Sequence, residues 1–266
     1  MLCDYHVHLE RGPYTLEWLQ QFLQQAKKVG VAELGVVEHL YRFREARQLF
    51  LNPWVEERQT QYIGDYLDLM QKAKKQRWPV RVGLEVDYVP GKEEELRAFL
   101  RKLPLDFVIG AVHWLGDWGF DTDPATWEGK DVLAVYEDYY DALSRAARSD
   151  LFDIIGHPGN IGYFGHLPDV KELGRLEDGF VASLRNKRVV VEINTGGLLR
   201  PAHALWPRLA MLRKLRTAQR DIVLGSDAHL PEHVGHAFHE VLRLLKQSGF
   251  ICTTRFLKRK TAFPAL

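Results

Sequence analysis

The feature that most constrains this chain is a repeated alternation. Seven short apolar runs, rich in Val and Ile, occupy residues 2–8, 33–39, 80–88, 107–114, 152–157, 188–195 and 221–229. Each is too short for a typical helix and too continuously apolar for a strand with one wet face, so they read as strands buried on both faces. Helical spacing fills the gaps. Leu16, Leu19, Phe22, Leu23 and Ala26 make one helical face before the second run; Leu96, Phe99 and Leu100 make another before the fourth. Residues 132–147 continue the pattern before the fifth, and Val241, Leu242, Leu244 and Leu245 follow the seventh. Strands alternating with helices require a parallel sheet, open or closed. With 266 residues and no Gly/Ser linker, low-complexity run or repeat, the chain is expected to be one α/β domain over residues 1–266.

Composition excludes several partners. A formal charge of +1 gives no basic or acidic bias toward nucleic acid or a membrane surface. No apolar run approaches the roughly 20 residues that span a bilayer, and the first residues lack a secretory pattern. Two distant cysteines, Cys3 and Cys252, make no disulfide framework. These observations predict a reduced, cytoplasmic chain acting on a small molecule; they carry no information on oligomeric state.

Each strand ends on side chains that bind metals. In chain order they are His6 and His8; Glu38 and His39; Glu85 and Asp87; His113; His157; Glu192 and Asn194; Asp227 and His229. Two residues apart on an extended strand point to one face, so His6 with His8, and Asp227 with His229, can each grip one ion. In a parallel barrel all carboxyl ends meet at one mouth. A single histidine at a strand end is more often a hydrogen-bonded structural residue, but six of the eleven histidines fall at these ends. Imidazole and carboxylate without thiolate suit zinc, manganese or iron(II). The donors exceed what one ion needs, which predicts two or three divalent ions. Such a cluster lowers the pKa of a shared water and neutralises a phosphoryl group.

The ordered set His6-x-His8, Glu38-His39, Glu85, His113, His157, Asp227-x-His229 resembles the PHP (polymerase and histidinol phosphatase) superfamily. Chain length and Gly-Ser-Asp-Ala-His at 225–229 resemble its monofunctional histidinol-phosphate phosphatase branch. The resemblance implies a distorted (β/α)7 barrel with a trinuclear metal centre at the carboxyl ends of its strands. It also implies hydrolysis of histidinol phosphate, a step of histidine biosynthesis, by hydroxide attack on phosphorus. By position, His6, His8, Glu85 and Asp227 would hold the first ion. Glu85 would bridge to a second held by His113 and His157, and His39 and His229 would hold the third. Glu85, Asp227 and His229 would thus be the catalytic residues.

Two departures stand out. Relatives place a further third-site ligand, often a histidine, after the first strand; here residues 9–14 contain none. Glu17 is the expected substitute, because some members use a carboxylate near the start of the following helix, and Glu10 is second. The loop after the fifth strand, residues 158–166, carries no Lys or Arg for phosphate. Arg200, with Arg42 and Arg44 beyond His39, is expected to supply that charge, since a guanidinium binds phosphate bidentately. Residues 41–61 are a candidate substrate-facing loop, and Trp114, Trp118 and Phe120 either wall the pocket or form loop core. His233, His236 and His239 recur every three residues, a pattern more often incidental on a surface helix. The competing readings are a PHP phosphodiesterase or exonuclease, an amidohydrolase-type C–N hydrolase, and a non-catalytic PHP module. An amidohydrolase would place a bridging lysine on strand four, where this chain has His113.

Overall fold

Every expected strand forms, and each is followed by a helix whose apolar stripe packs onto the sheet. The computed structural model describes residues 1–185 and 188–265; of the expected single domain, 1–266, the remaining three lie outside the described residues. The order is β1 (Cys3–Val7), α1 (Leu16–Lys28), β2 (Glu33–Val36), α2 (Ile63–Lys75), β3 (Val80–Asp87), α3 (Glu93–Leu100), β4 (Phe107–Ala111), α4 (Val132–Arg148), β5 (Ile154–Ile155), α5 (Val170–Ser183), β6 (Val190–Asn194), α6 (Leu209–Thr217), β7 (Ile222–Gly225) and α7 (Phe238–Gln247). The strands are parallel and neighbours in sequence order. Helix α1 shows how the sequence builds one unit. Thr15 caps it by accepting from the Trp18 amide at 3.2 Å, and Leu19, Phe22 and Ala26 form its buried face.

The barrel closes only near its mouth. Strands β1 and β7 meet through one bridge, where the His8 amide donates to the Ala228 carbonyl at 2.8 Å and the Ala228 amide to His6 at 3.2 Å. Below it the fully buried Asp4 stitches the seam. Its carboxylate accepts from the Ser226 amide and hydroxyl and from the Gly235 amide. Burial pushes the Asp4 carboxyl up to about 6, against the pull of those bonds. This incomplete closure is the expected distortion.

The amino end is sealed. The antiparallel strands Arg255–Leu257 and Lys260–Ala262 lie there. Phe256 sits edge-on to Tyr5 at 5.7 Å, and Arg81 and Arg255 each approach the buried Glu33 to 2.6 Å. An apolar plug of Tyr5, Phe107, Ile109, Ile154, Val190 and Val223 fills the interior above it. The metal-binding types of side chain gather at the opposite, carboxyl mouth.

One irregularity aims the first two histidines. Cys3 and Tyr5 belong to the inner plug, so strict alternation would turn His6 outward. The pairing of β1 with β2 shifts register between Asp4 and Val7, a bulge that resets the alternation and brings His6 and His8 to the mouth. Among the described residues no helix is long and apolar enough to cross a membrane.

Candidate metal centre

The carboxylate of Glu85, at the carboxyl end of β3, is the hub. Its Oε2 lies 2.9 Å from His39 Nδ1, 3.3 Å from His6 Nε2 and 3.4 Å from His8 Nε2. Its Oε1 lies 2.7 Å from His157 Nε2 and 3.5 Å from His113 Nε2. Asp227 Oδ1 completes the ring, at 3.7 Å from His6, 3.6 Å from His8 and 3.1 Å from His229 Nε2. Three overlapping donor groups result: His6, His8 and Asp227; His6, Glu85 and His157; His39, Glu85 and His113. A fourth, His8, His39 and His229, sits beside them.

The outer partners fix which nitrogens face inward. Glu192 Oε1 lies 2.7 Å from His6 Nδ1, and Asp87 Oδ1 lies 3.0 Å from His113 Nδ1. Each carboxylate accepts a hydrogen bond from Nδ1–H, so each Nε2 lone pair is turned to the cluster. Glu192 also accepts the His157 amide at 2.6 Å, where the backbone enters the left-handed region at φ +28°. Asp227 is held at φ +52°. Such geometry costs free energy in residues other than glycine and persists where surrounding bonds over-determine it. Gly225 makes the arrangement possible, because a Cβ there would fall 1.9 Å from Glu192 Oε1.

These donors fit divalent ions. Glu85 Oε2 is buried and accepts no hydrogen bond although imidazole nitrogens surround it, and His6 Nε2 and His8 Nε2 face each other at 3.0 Å. Lone pairs so opposed are stable only around a proton or a cation.

Charge in the cluster is redistributed accordingly. Burial opposes a charge on His113, but Asp87 and Glu85 raise it to about 10; His229 rises to about 9 through Asp227 and Glu10. Burial and the neighbouring His229 and His39 lower His8 to about 3. Glu85 is held well below its usual range by His39, His6 and His113 in spite of burial. For His113 and His229 the folded values lie above the unfolded 6.5, so the metal-free protein gains stability that is complete below pH ~6.5. That gain is lost as pH rises toward 9–10. Metal loading must expel the same protons. Calorimetric titration of the metal-free chain with zinc at pH 7, in two buffers of different ionisation enthalpy, should show net proton release that shrinks toward pH 10. Buffer-independent heats at pH 7 would contradict this charge state.

The loop after β1 corrects the expectation for Glu17. That side chain is exposed on the first turn of α1, facing away from the buried Leu19 and Phe22, and joins none of the donor groups. Glu10 is there instead. Its Oε1 lies 3.0 Å from His229 Nδ1, and with His8 and Glu38 it forms a fifth donor group. Trp18 holds the loop by donating its indole N–H to the Leu9 carbonyl at 2.9 Å. The signal was present: Glu10 continues the two-residue alternation of His6 and His8. We expect Glu10→Gln to weaken the third ion roughly 10–100-fold and to lower the metal count per chain, while Glu17→Gln leaves it unchanged. Elemental analysis of the two variants decides; metal loss confined to Glu17→Gln would reverse the assignment.

The expected phosphate-binding arginines separate. Arg200 lines the mouth, with Nη2 3.6 Å from Asp227 Oδ2 and its guanidinium 5.8 Å from the Tyr163 ring. Arg42 is turned to Glu10 Oε2 at 3.1 Å. Arg44 is exposed and bonds the Tyr62 hydroxyl at 3.1 Å, because the buried Phe43 between the two arginines anchors the turn and sends Arg44 outward. Arg11 lines the mouth in its place. The cavity, of about 250 Å³, also takes walls from Tyr41 and Trp54 of the 41–61 loop, from Trp114, and from Asp121. Trp118 and Phe120 are loop core, packed on Trp127 and Tyr139. The histidines at 233, 236 and 239 join no donor group.

A model of the PHP domain matches residues 4–196. The chain belongs to the PHP family. Over 256 residues it is 33% identical to the probable histidinol-phosphatase of Deinococcus radiodurans, across 93% of this chain and 94% of that relative. It is 26% identical over 269 residues to the histidinol-phosphatase of Bacillus subtilis, across 90% and 97%. In solved structures its fold is matched by a histidinol phosphate phosphatase of Lactococcus lactis, described in complex with zinc, L-histidinol and phosphate. That match has a TM-score of 0.77 at 22% identity and covers 98% of both chains.

Proposed function

We propose that this PHP-family chain is a metal-dependent phosphomonoesterase that hydrolyses histidinol phosphate in the cytoplasm. The observation that carries the reading is the convergence on Glu85 of five imidazoles from four strand ends, beside Arg200. Near full-length likeness to histidinol phosphatases supports the substrate.

His6, His8, Glu85 and Asp227 would hold a first ion, Glu85 with His113 and His157 a second, and His39, His229 and Glu10 a third. Bound zinc, manganese or iron supplies a hydroxide near neutral pH and offsets phosphoryl charge. The protein's share is positional. Glu192 and Asp87 fix the imidazole tautomers. Arg200 lies close enough to Asp227 to share its charge with a phosphoryl oxygen beside the cluster. The aromatic wall of Tyr41, Trp54 and Trp114 keeps water from the leaving group.

The test is turnover of a phosphomonoester panel, including histidinol phosphate, after reconstitution with zinc, manganese or iron, with metal counted in each preparation. We expect histidinol phosphate to be cleaved with the highest kcat/KM at two or three ions per chain. Efficient cleavage of an aryl phosphodiester without cleavage of histidinol phosphate would replace the substrate assignment.

A further inference from the structure

One carboxylate in the mouth has no part in the metal cluster. Asp121 lines the cavity, is partly buried, and is bonded to no other residue among those described. Its position is fixed by the backbone on either side. Phe120 is fully buried against Tyr139, and its carbonyl accepts the Trp127 indole N–H at 2.8 Å. The Thr122 hydroxyl donates to the Gly119 carbonyl at 2.8 Å.

A fixed carboxylate in this cavity is an obstacle to a plain phosphomonoester. The phosphoryl end brings close to two negative charges, and the mouth already holds Glu85 and Asp227. Arg200 is engaged with Asp227 and Tyr163. His113, His157, Asp87, Arg200 and Tyr41 are the charged or titratable groups whose fields reach Asp121. Burial makes its charge costly, and a substrate cation would offset that cost. Beside it stands an aromatic wall, with Tyr41 and Trp54 rings 5.8 Å apart and Trp54 and Trp114 rings 5.3 Å apart. Such a wall suits a flat ring carried by the same substrate.

We propose that Asp121 selects the leaving group, its carboxylate pairing with the ammonium of an amino alcohol phosphate while the phosphoryl end lies against the metal donors and Arg200. The inference rests on the phosphomonoesterase reading and deepens it. Asp121 is then a specificity residue, and a substrate lacking the ammonium leaves its carboxylate unpaired.

The experiment compares histidinol phosphate with its des-amino analogue, 3-(imidazol-4-yl)propyl phosphate, at pH 7.5 on wild type, Asp121→Asn and Asp121→Glu. Metal content and melting temperature are recorded for each. For Asp121→Asn, kcat/KM on histidinol phosphate should fall roughly 10²-fold, chiefly through KM, and the penalty on the analogue should be at least tenfold smaller. Asp121→Glu should recover part of the loss. Equal penalties on the two esters in an active, metal-replete variant would overturn the ammonium subsite alone. A penalty on alkyl phosphates with uncharged leaving groups that grows with leaving-group pKa would overturn it in favour of proton donation by Asp121. A wild-type protein that turns over neither ester would overturn the phosphatase reading, and the subsite with it.

Discussion

Glu85→Gln is expected to remove at least one ion per chain and to lower kcat/KM on the order of 10⁴-fold, about 5.4 kcal/mol of transition-state stabilisation. The size of the effect follows from geometry. Both oxygens of Glu85 face imidazoles, with His39 and His157 nearest at 2.9 and 2.7 Å, and the side chain is almost completely buried. Gln preserves the shape but takes away the charge and turns an N–H₂ group toward nitrogens that must act as donors to metal. The same charge raises His6 and His113, so its loss disturbs the cluster as a unit and the penalty will not add to that of a neighbour. Metal analysis beside steady-state kinetics checks this. A variant that keeps its full metal complement and loses less than tenfold in kcat/KM would remove Glu85 from the bridging position.

The hub was readable because its residues obey simple periodicity. Alternation along a strand puts residues two apart on one face, and the carboxyl ends of parallel strands share a mouth. The pairing of His6 with His8 and of Asp227 with His229 follows from this spacing, though not the direction in which each pair is aimed. The parts that the sequence hid depend on departures from regularity. A bulge in β1 lets Tyr5 plug the barrel while His6 reaches the mouth, and nothing in Asp4-Tyr5-His6 announces it. Glu17 was favoured over Glu10 by analogy to relatives, whereas the helical face set by Leu19 and Phe22 already turned Glu17 outward. Arg44 failed for the converse reason: the direction of a side chain in a loop of single turns is decided by which neighbour is buried, here Phe43. The fifth strand was expected over residues 152–157, but only Ile154 and Ile155 form its strand, and the chain turns at His157. Glu192 was seen as one more donor; its bonds to His6 and to the His157 amide make it an orienting group instead. Asp121 lies in a loop, with no period to reveal it.

Arg200→Ala should cost about 10²-fold in kcat/KM on histidinol phosphate, roughly 2.7 kcal/mol. Of the three arginines expected to bind phosphate, Arg200 alone lines the cavity, since Arg42 is held by Glu10 and Arg44 by Tyr62. Its charge is close enough to Asp227, at 3.6 Å, to join the cluster, and it lines the cavity that a phosphoryl group would enter. Losing a contact that strengthens toward the phosphoryl oxygens in the transition state lowers kcat, whereas losing one made equally to the bound ester raises KM. Most of the loss should therefore appear in kcat. Arg200→Lys should recover only part, because an ammonium cannot make the paired contact of a guanidinium. An aryl phosphodiester carries one negative charge fewer, so its penalty on Arg200→Ala should be clearly smaller. Equal penalties on monoester and diester, with metal content unchanged, would mean that Arg200 serves the cluster through Asp227 and does not touch the phosphoryl group.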